Sequence, residues 1–252
     1  MTKLEDKYAP VTFDELVFSN VSDARKARQF AEGERTGHLL LHGPYGTGKS
    51  AAAKVIAQLR CGSFYPNGPD VFRGEEVDDT QVNAIDNTHT LQRIGGVKHP
   101  LVLVDEIDRC KVPHQRHFSY HYDQYKHLGC MVFTTNKLWE VDGGLRDRCT
   151  LIDMPSINVA QWYDRANWIL EQEGVSLPPA KLNAMLHTNV ATVRKLFQVL
   201  EGIILNAKAN PGPTSPTPHL KLVPSSGAAT PSTAAQGTNL PSVSSGSKAT
   251  AA

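Results

Sequence analysis

Eight residues, Gly43–Ser50 (GPYGTGKS), constrain this chain more than any other stretch. They follow a short apolar run, His38–His42 (HLLLH), and lead into Ser50–Leu59 (SAAAKVIAQL), a good helix former. Strand, glycine turn and helix in that order complete the GxxxxGK(S/T) pattern. The glycines let backbone N–H groups wrap a diphosphate at the positive end of the helix. Gly43, Pro44, Tyr45, Gly46, Thr47, Gly48, Lys49 and Ser50 are therefore candidate nucleotide-binding residues. The pattern predicts that Lys49 reaches the β- and γ-phosphates and that the Ser50 hydroxyl ligates magnesium.

Two further apolar runs end in polar residues. Leu101–Val104 (LVLV) runs into Asp105 and Glu106, and Cys130–Thr134 (CMVFT) precedes Asn136. Short continuous apolar runs alternating with helices predict an α/β fold, a parallel sheet with helices on both faces. A carboxylate at the end of a strand is where a P-loop fold holds magnesium, which suits Asp105. Glu106, one residue on, points differently and is a candidate general base for water. The Asn136 amide could bind the γ-phosphate or position water, although an Asn after a strand is more often a turn residue.

After Pro155 the period changes. Ser156–Glu173 carries Trp162, Ala166, Ile169 and Leu170 at helical spacing, Pro178 and Pro179 open a second helix, and Asn189 is a candidate cap for a third. Of the 47 residues Asn206–Ala252, 34 are Ala, Pro, Ser, Thr or Gly, too apolar-poor to offset the entropy of ordering. The expected organisation is an α/β nucleotide-binding domain over 1–155, a small helical domain over 156–205 and a disordered tail over 206–252.

Composition narrows the function classes. There are 26 basic and 25 acidic side chains, so no histone-like basic binder is implied. The four cysteines are scattered without a CxxC pair, which predicts reduced thiols rather than a disulfide or all-cysteine zinc framework. No apolar run approaches a membrane span and Met1–Pro10 lacks the core of a signal peptide, so a soluble, cytoplasmic protein is expected. His114, His117 and His121 share one face of an expected helix, a spacing open to zinc, to a protein contact or to an ordinary packed helix.

Taken in order, these motifs resemble those of an AAA+ ATPase of the clamp-loader branch, such as replication factor C small subunits or the DNA polymerase III gamma-tau type ATPase module. Lys7–Leu16 (KYAPVTFDEL) is similar to that family's opening segment. GPYGTGKS, LVLVDEID and FTTN resemble its Walker A, Walker B and sensor 1, GLRDRC its arginine-finger segment, and Asn189–Leu200 its sensor 2 helix. The resemblance implies ATP and Mg2+ as cofactors and a lid formed by the helical domain. It implies Arg148 as a finger acting in trans on a neighbouring subunit, Arg194 as sensor 2, and Tyr8 and Pro10 beside the adenine. Related AAA+ subunits, a sliding clamp and primer-template DNA are the partners implied, with no membrane. Asp147 and Ala9 depart from the family's Ser-Arg-Cys and KYRP patterns, and 206–252 is not expected to build its C-terminal helical collar. A remodeller of another protein partner (a transposase or helicase) and a non-catalytic ATP-binding scaffold are the alternative functions.

Overall fold

Among the residues described by the computed structural model (3–62, 69–125 and 129–209), five strands make one parallel sheet. They are β1 (His38–His42), β2 (Val71–Arg73), β3 (Leu101–Asp105), β4 (Cys130–Thr135) and β5 (Cys149–Asp153), in the spatial order β2-β3-β4-β1-β5. Register is set by pairs such as Leu39 with Val132, Leu40 with Leu151, and Leu103 with Val132. Leu39–Leu41 of β1, Leu101–Val104 of β3 and Cys130–Phe133 of β4 are apolar without interruption because each run feeds both faces. Leu39, Leu41, Leu101, Leu103 and Val132 join one core with Phe30, Ala52, Ala53 and Ile56; Leu40, Val102, Val104, Met131 and Phe133 join the other with Val82, Ile85, Phe118 and Leu145.

The first face is covered by α2 (Val21–Ala31) and α3 (Lys49–Cys61), the second by α4 (Asp79–Ile94), α5 (Val112–Tyr125) and α6 (Gly143–Asp147). Helix starts are capped as the chemistry of short polar side chains requires. Asn20, Asp78 and Asp142 accept backbone N–H bonds at the starts of α2, α4 and α6.

A third core belongs to α7 (Val159–Gln172), α8 (Pro179–Asn189) and α9 (Val193–Ala209), where Ala166, Ile169, Leu182, Leu186, Leu196 and Leu200 interlock. Three details differ from the sequence expectation. Asn189 ends α8 rather than capping α9, because the chain is extended at Val190 and the Thr192 hydroxyl accepts from Lys195 N at 3.2 Å instead. Asn206–Ala209 complete the last turn of α9 rather than starting a tail; the rest of the expected tail, 210–252, lies outside the described residues. At the N-terminus, after the short helix α1 (Leu4–Lys7), Tyr8 packs among α7–α9 rather than with the sheet. Its hydroxyl donates to Glu173 at 2.9 Å and its ring meets Trp168 edge-on at 5.7 Å.

Histidines occupy positions where the second core would be apolar. His38 on β1 and His89 on α4 are 0% and 2% exposed, and both flank His121 of α5, with ring centroids 6.4 and 5.2 Å away. His38 Nδ1 accepts from Met131 N at 3.1 Å, while His89 Nε2 lies 2.9 Å from the Cys130 carbonyl. Burial pushes His38 down to about 3 and His89 down to about 4, and it lowers His121 as well. The unfolded chain therefore binds protons near pH 6.5 that these folded histidines refuse, so their contribution to stability is level above about pH 7.5 and is lost as pH drops through 6.5. For His38 and His89 together we expect a loss of about 3 kcal/mol between pH 7.5 and 5.5. Urea unfolding at the two pH values measures it, and equal stabilities would show these rings to be more solvated than the fold implies.

Candidate functional site

The loop after β1 is shaped by close backbone approaches. Gly43 has φ 144°, and a Cβ there would stand 2.1 Å from the carbonyl oxygen of Met154, so no other residue fits. Gly48, at φ 92°, turns the chain into α3. Lys49 is 6% exposed, its Nζ donating to the carbonyls of Gly43 and Pro44 at 2.9 and 2.6 Å. Burial pulls its ammonium down to about 8 against the opposing pull of Asp105, Asp108 and Glu106. An anion arriving at the loop would replace those carbonyls with a far better partner.

Ser50, in the first turn of α3, donates its hydroxyl to both oxygens of Asp105 at 2.8 and 3.1 Å. Thr134 of β4 secures the same carboxylate through its hydroxyl and accepts from Glu106 N at 3.0 Å. Glu106 has φ 55° and ψ 52°, the only non-glycine residue with positive φ among those described. Such a conformation costs on the order of 1 kcal/mol and persists only where its surroundings hold it. Here Thr134 holds the backbone, while Asn136 Nδ2 and Arg109 Nη1 lie 3.3 and 3.1 Å from the two carboxylate oxygens.

Lys49, Ser50, Glu106, Thr134 and Asn136 line a cavity of about 330 Å³, to which Asp105 is joined through Ser50. The phosphate loop, Glu106, Thr134 and Asn136 form one wall, Val193, Arg194 and Phe197 of α9 another, and Asp6, Ala9 and Pro10 a third. Arg194 is joined to the loop through its backbone N–H, 3.3 Å from the Gly46 carbonyl oxygen. The volume suits a nucleotide-sized ligand. Ser50 and Asp105 supply hard oxygen donors of the kind magnesium takes, and the loop N–H groups and Lys49 suit phosphate, so the residues present fit Mg–ATP.

Tyr8, expected beside the adenine, stands elsewhere. The Tyr8 ring is buried in the α7–α9 core, and its carbonyl accepts from Arg165 Nη2 at 3.2 Å; it borders a smaller adjoining cavity. Arg148, expected to act on a neighbouring subunit, is the C-cap of α6; it does not line this cavity and pairs with Asp123 rather than with adjacent Asp147. His114 pairs with Asp79, while His117 and His121 share Asp86, each 3.4 Å away. Among the described residues no group of three or more His, Cys, Asp or Glu is arranged to hold a metal ion. Thr134 and Arg109 are the site residues that the linear pattern does not announce.

Residues 39–154, which span β1 to the end of β5, match the ATPase family associated with various cellular activities (AAA). This segment is an AAA-type ATPase domain. Curated relatives that match the chain are replication factor C subunits. It is 25% identical over 199 residues to the replication factor C small subunit of Thermofilum pendens, covering 78% of this chain and 61% of the relative. It is 26% identical over 209 residues to replication factor C subunit 3 of Blastobotrys adeninivorans, covering 81% and 61%. The chain thus spans about three fifths of the length of the relatives it matches. Among solved structures, the Thermotoga maritima RuvB Holliday junction branch migration motor superposes with a TM-score of 0.62 at 16% identity, over 80% of this chain and 66% of that one. Domain III of the T. maritima replication initiation protein DnaA gives 0.56 at 17%, over 79% and 89%. At such identities the shared property is the AAA+ fold. No described helix of this chain is long and apolar enough to cross a membrane.

Proposed function

We propose that this chain hydrolyses Mg–ATP at an interface between AAA+ subunits and acts as a clamp-loader-type subunit in DNA replication. The observation that carries the reading is the convergence of Lys49, Ser50, Glu106 and Asn136 on one cavity that Arg194 of α9 also lines, with Asp105 bonded to Ser50. Ser50 and Asp105 hold magnesium, which when bound neutralises charge on the phosphates. Lys49, Asn136 and Arg194 bind the γ-phosphate, and Pro10 and Ala9 face the base. Glu106, presented by its left-handed backbone, takes the proton of the attacking water. The bundle α7–α9 is the lid, as distinct from the α/β domain, and Arg148 serves the site of the next subunit.

Clamp loading is supported by the curated relatives, both replication factor C subunits. If it is right, steady-state ATP turnover rises several-fold when a sliding clamp and primer-template DNA are added together. Turnover indifferent to both, but raised by a protein such as a transposase or helicase, would replace clamp loading with remodelling and leave the ATPase reading intact.

A further inference from the structure

Arg148 has all three guanidinium nitrogens engaged within its own chain. Nε and Nη2 meet the two oxygens of Asp123, at the C-terminal end of α5, at 2.9 and 2.7 Å; Nη1 donates to the Gly144 carbonyl at 2.7 Å. The paired N–H edge that grips this carboxylate is the same edge by which a guanidinium grips a phosphate. Asp123 thus stands where a phosphate would stand, and one arginine cannot serve both bidentately.

We propose that Asp123 is a positioning residue that parks Arg148 in the lone subunit and yields it to the triphosphate bound by a docking neighbour. This rests on the reading of Arg148 as a residue that acts in trans. The pair is partly open to water, with Arg148 31% and Asp123 47% exposed. A pair so placed shifts an equilibrium by no more than about five-fold, so a phosphate group of higher charge displaces it readily. The Gly144 contact is made by a different nitrogen and can persist through the exchange, keeping the side chain extended. Asp123 therefore taxes subunit engagement slightly and keeps the arginine from other anions until a neighbour's nucleotide is present.

The test uses two full-length chains with complementary lesions. Arg148→Ala retains its base and receives an arginine; Glu106→Gln retains its arginine and donates it. Adding Asp123→Asn to the donor should raise turnover of the mixture about two- to five-fold at subsaturating protein and lower the concentration for half-maximal rate. The same change in the recipient, whose Asp123 has no Arg148 to hold, should give no gain. Unchanged turnover with the altered donor would overturn the proposal, and reduced turnover would mean that Asp123 presents the arginine in its working position. A gain from either chain alike would reduce Asp123 to a general structural residue. No turnover from the original mixture would instead overturn the trans role of Arg148, and this inference with it. Thermal midpoints of the Asp123→Asn chains, expected within a few degrees of parent, check folding.

Discussion

Arg148→Ala is expected to bind Mg–ATP like the parent and to lose ~10³-fold or more in turnover, the scale on which an arginine stabilises a transferring phosphoryl group. The loss should occur without unfolding, since the partners given up are a partly exposed carboxylate and one carbonyl. Because Arg148 does not line its own chain's cavity, specific activity of the parent should rise with protein concentration. For the same reason, mixing Arg148→Ala with Glu106→Gln should restore part of the turnover, pairing an intact base with an intact arginine across an interface. A parent rate independent of concentration, together with no recovery on mixing, would make Arg148 a surface residue tying α6 to α5.

The second large effect separates binding from chemistry within one chain. Glu106→Gln preserves shape and keeps an acceptor near Asn136 and Arg109, so nucleotide affinity should stay near parent while hydrolysis falls ~10²–10⁴-fold, the usual contribution of a positioned base. Lys49→Ala should instead weaken binding by two orders of magnitude or more, since charge-assisted bonds to phosphate contribute about 1.5–3 kcal/mol each. Lys49 is also buried against Gly43 and Pro44, so the same substitution leaves two carbonyls without their donor and should lower the thermal midpoint. Equilibrium nucleotide binding and single-turnover hydrolysis on both variants decide the matter. Parent-like hydrolysis by Glu106→Gln would remove Glu106 from the role of base.

What could be read in the sequence follows from how each element is buried. β1, β3 and β4 are central and covered on both sides, so their apolar runs stand out. β2 and β5 are edges: only Ile152 is buried in β5, and Val71 and Arg73 of β2 are exposed, which leaves no run to see. α4 hides for a different reason. Its buried face is Val82, Ile85, His89 and Gln92, and a stripe half polar does not register as amphipathic. Gln92 earns burial by bonding both the N–H and the carbonyl of Leu101 at 2.7 Å, a contact that depends on the fold and not on spacing. The loop, Asp105, Glu106 and Asn136 could be singled out because each sits at the end of an apolar run whose motif is local, whereas Arg194 entered only through the resemblance of its helix to a sensor 2 helix. Thr134, Arg109 and Asp123 were not, since their significance lies in partners that only the sheet order and the packing of α5 bring near.

The tight fit of Gly43 against Met154 has a mechanical consequence. Met154 immediately precedes the connection Pro155–Asn158 that leads into α7, and at its other side the loop is bonded through Gly46 to the first turn of α9. The phosphate loop is therefore clasped at the point where the chain departs for the bundle and again near the start of the bundle's last helix. A bundle that tilts must drag the loop, and a loop that reshapes around an anion must swing the bundle. Grip on the phosphates and tilt of the three helices are in this sense a single coordinate, with its pivot in the loop itself.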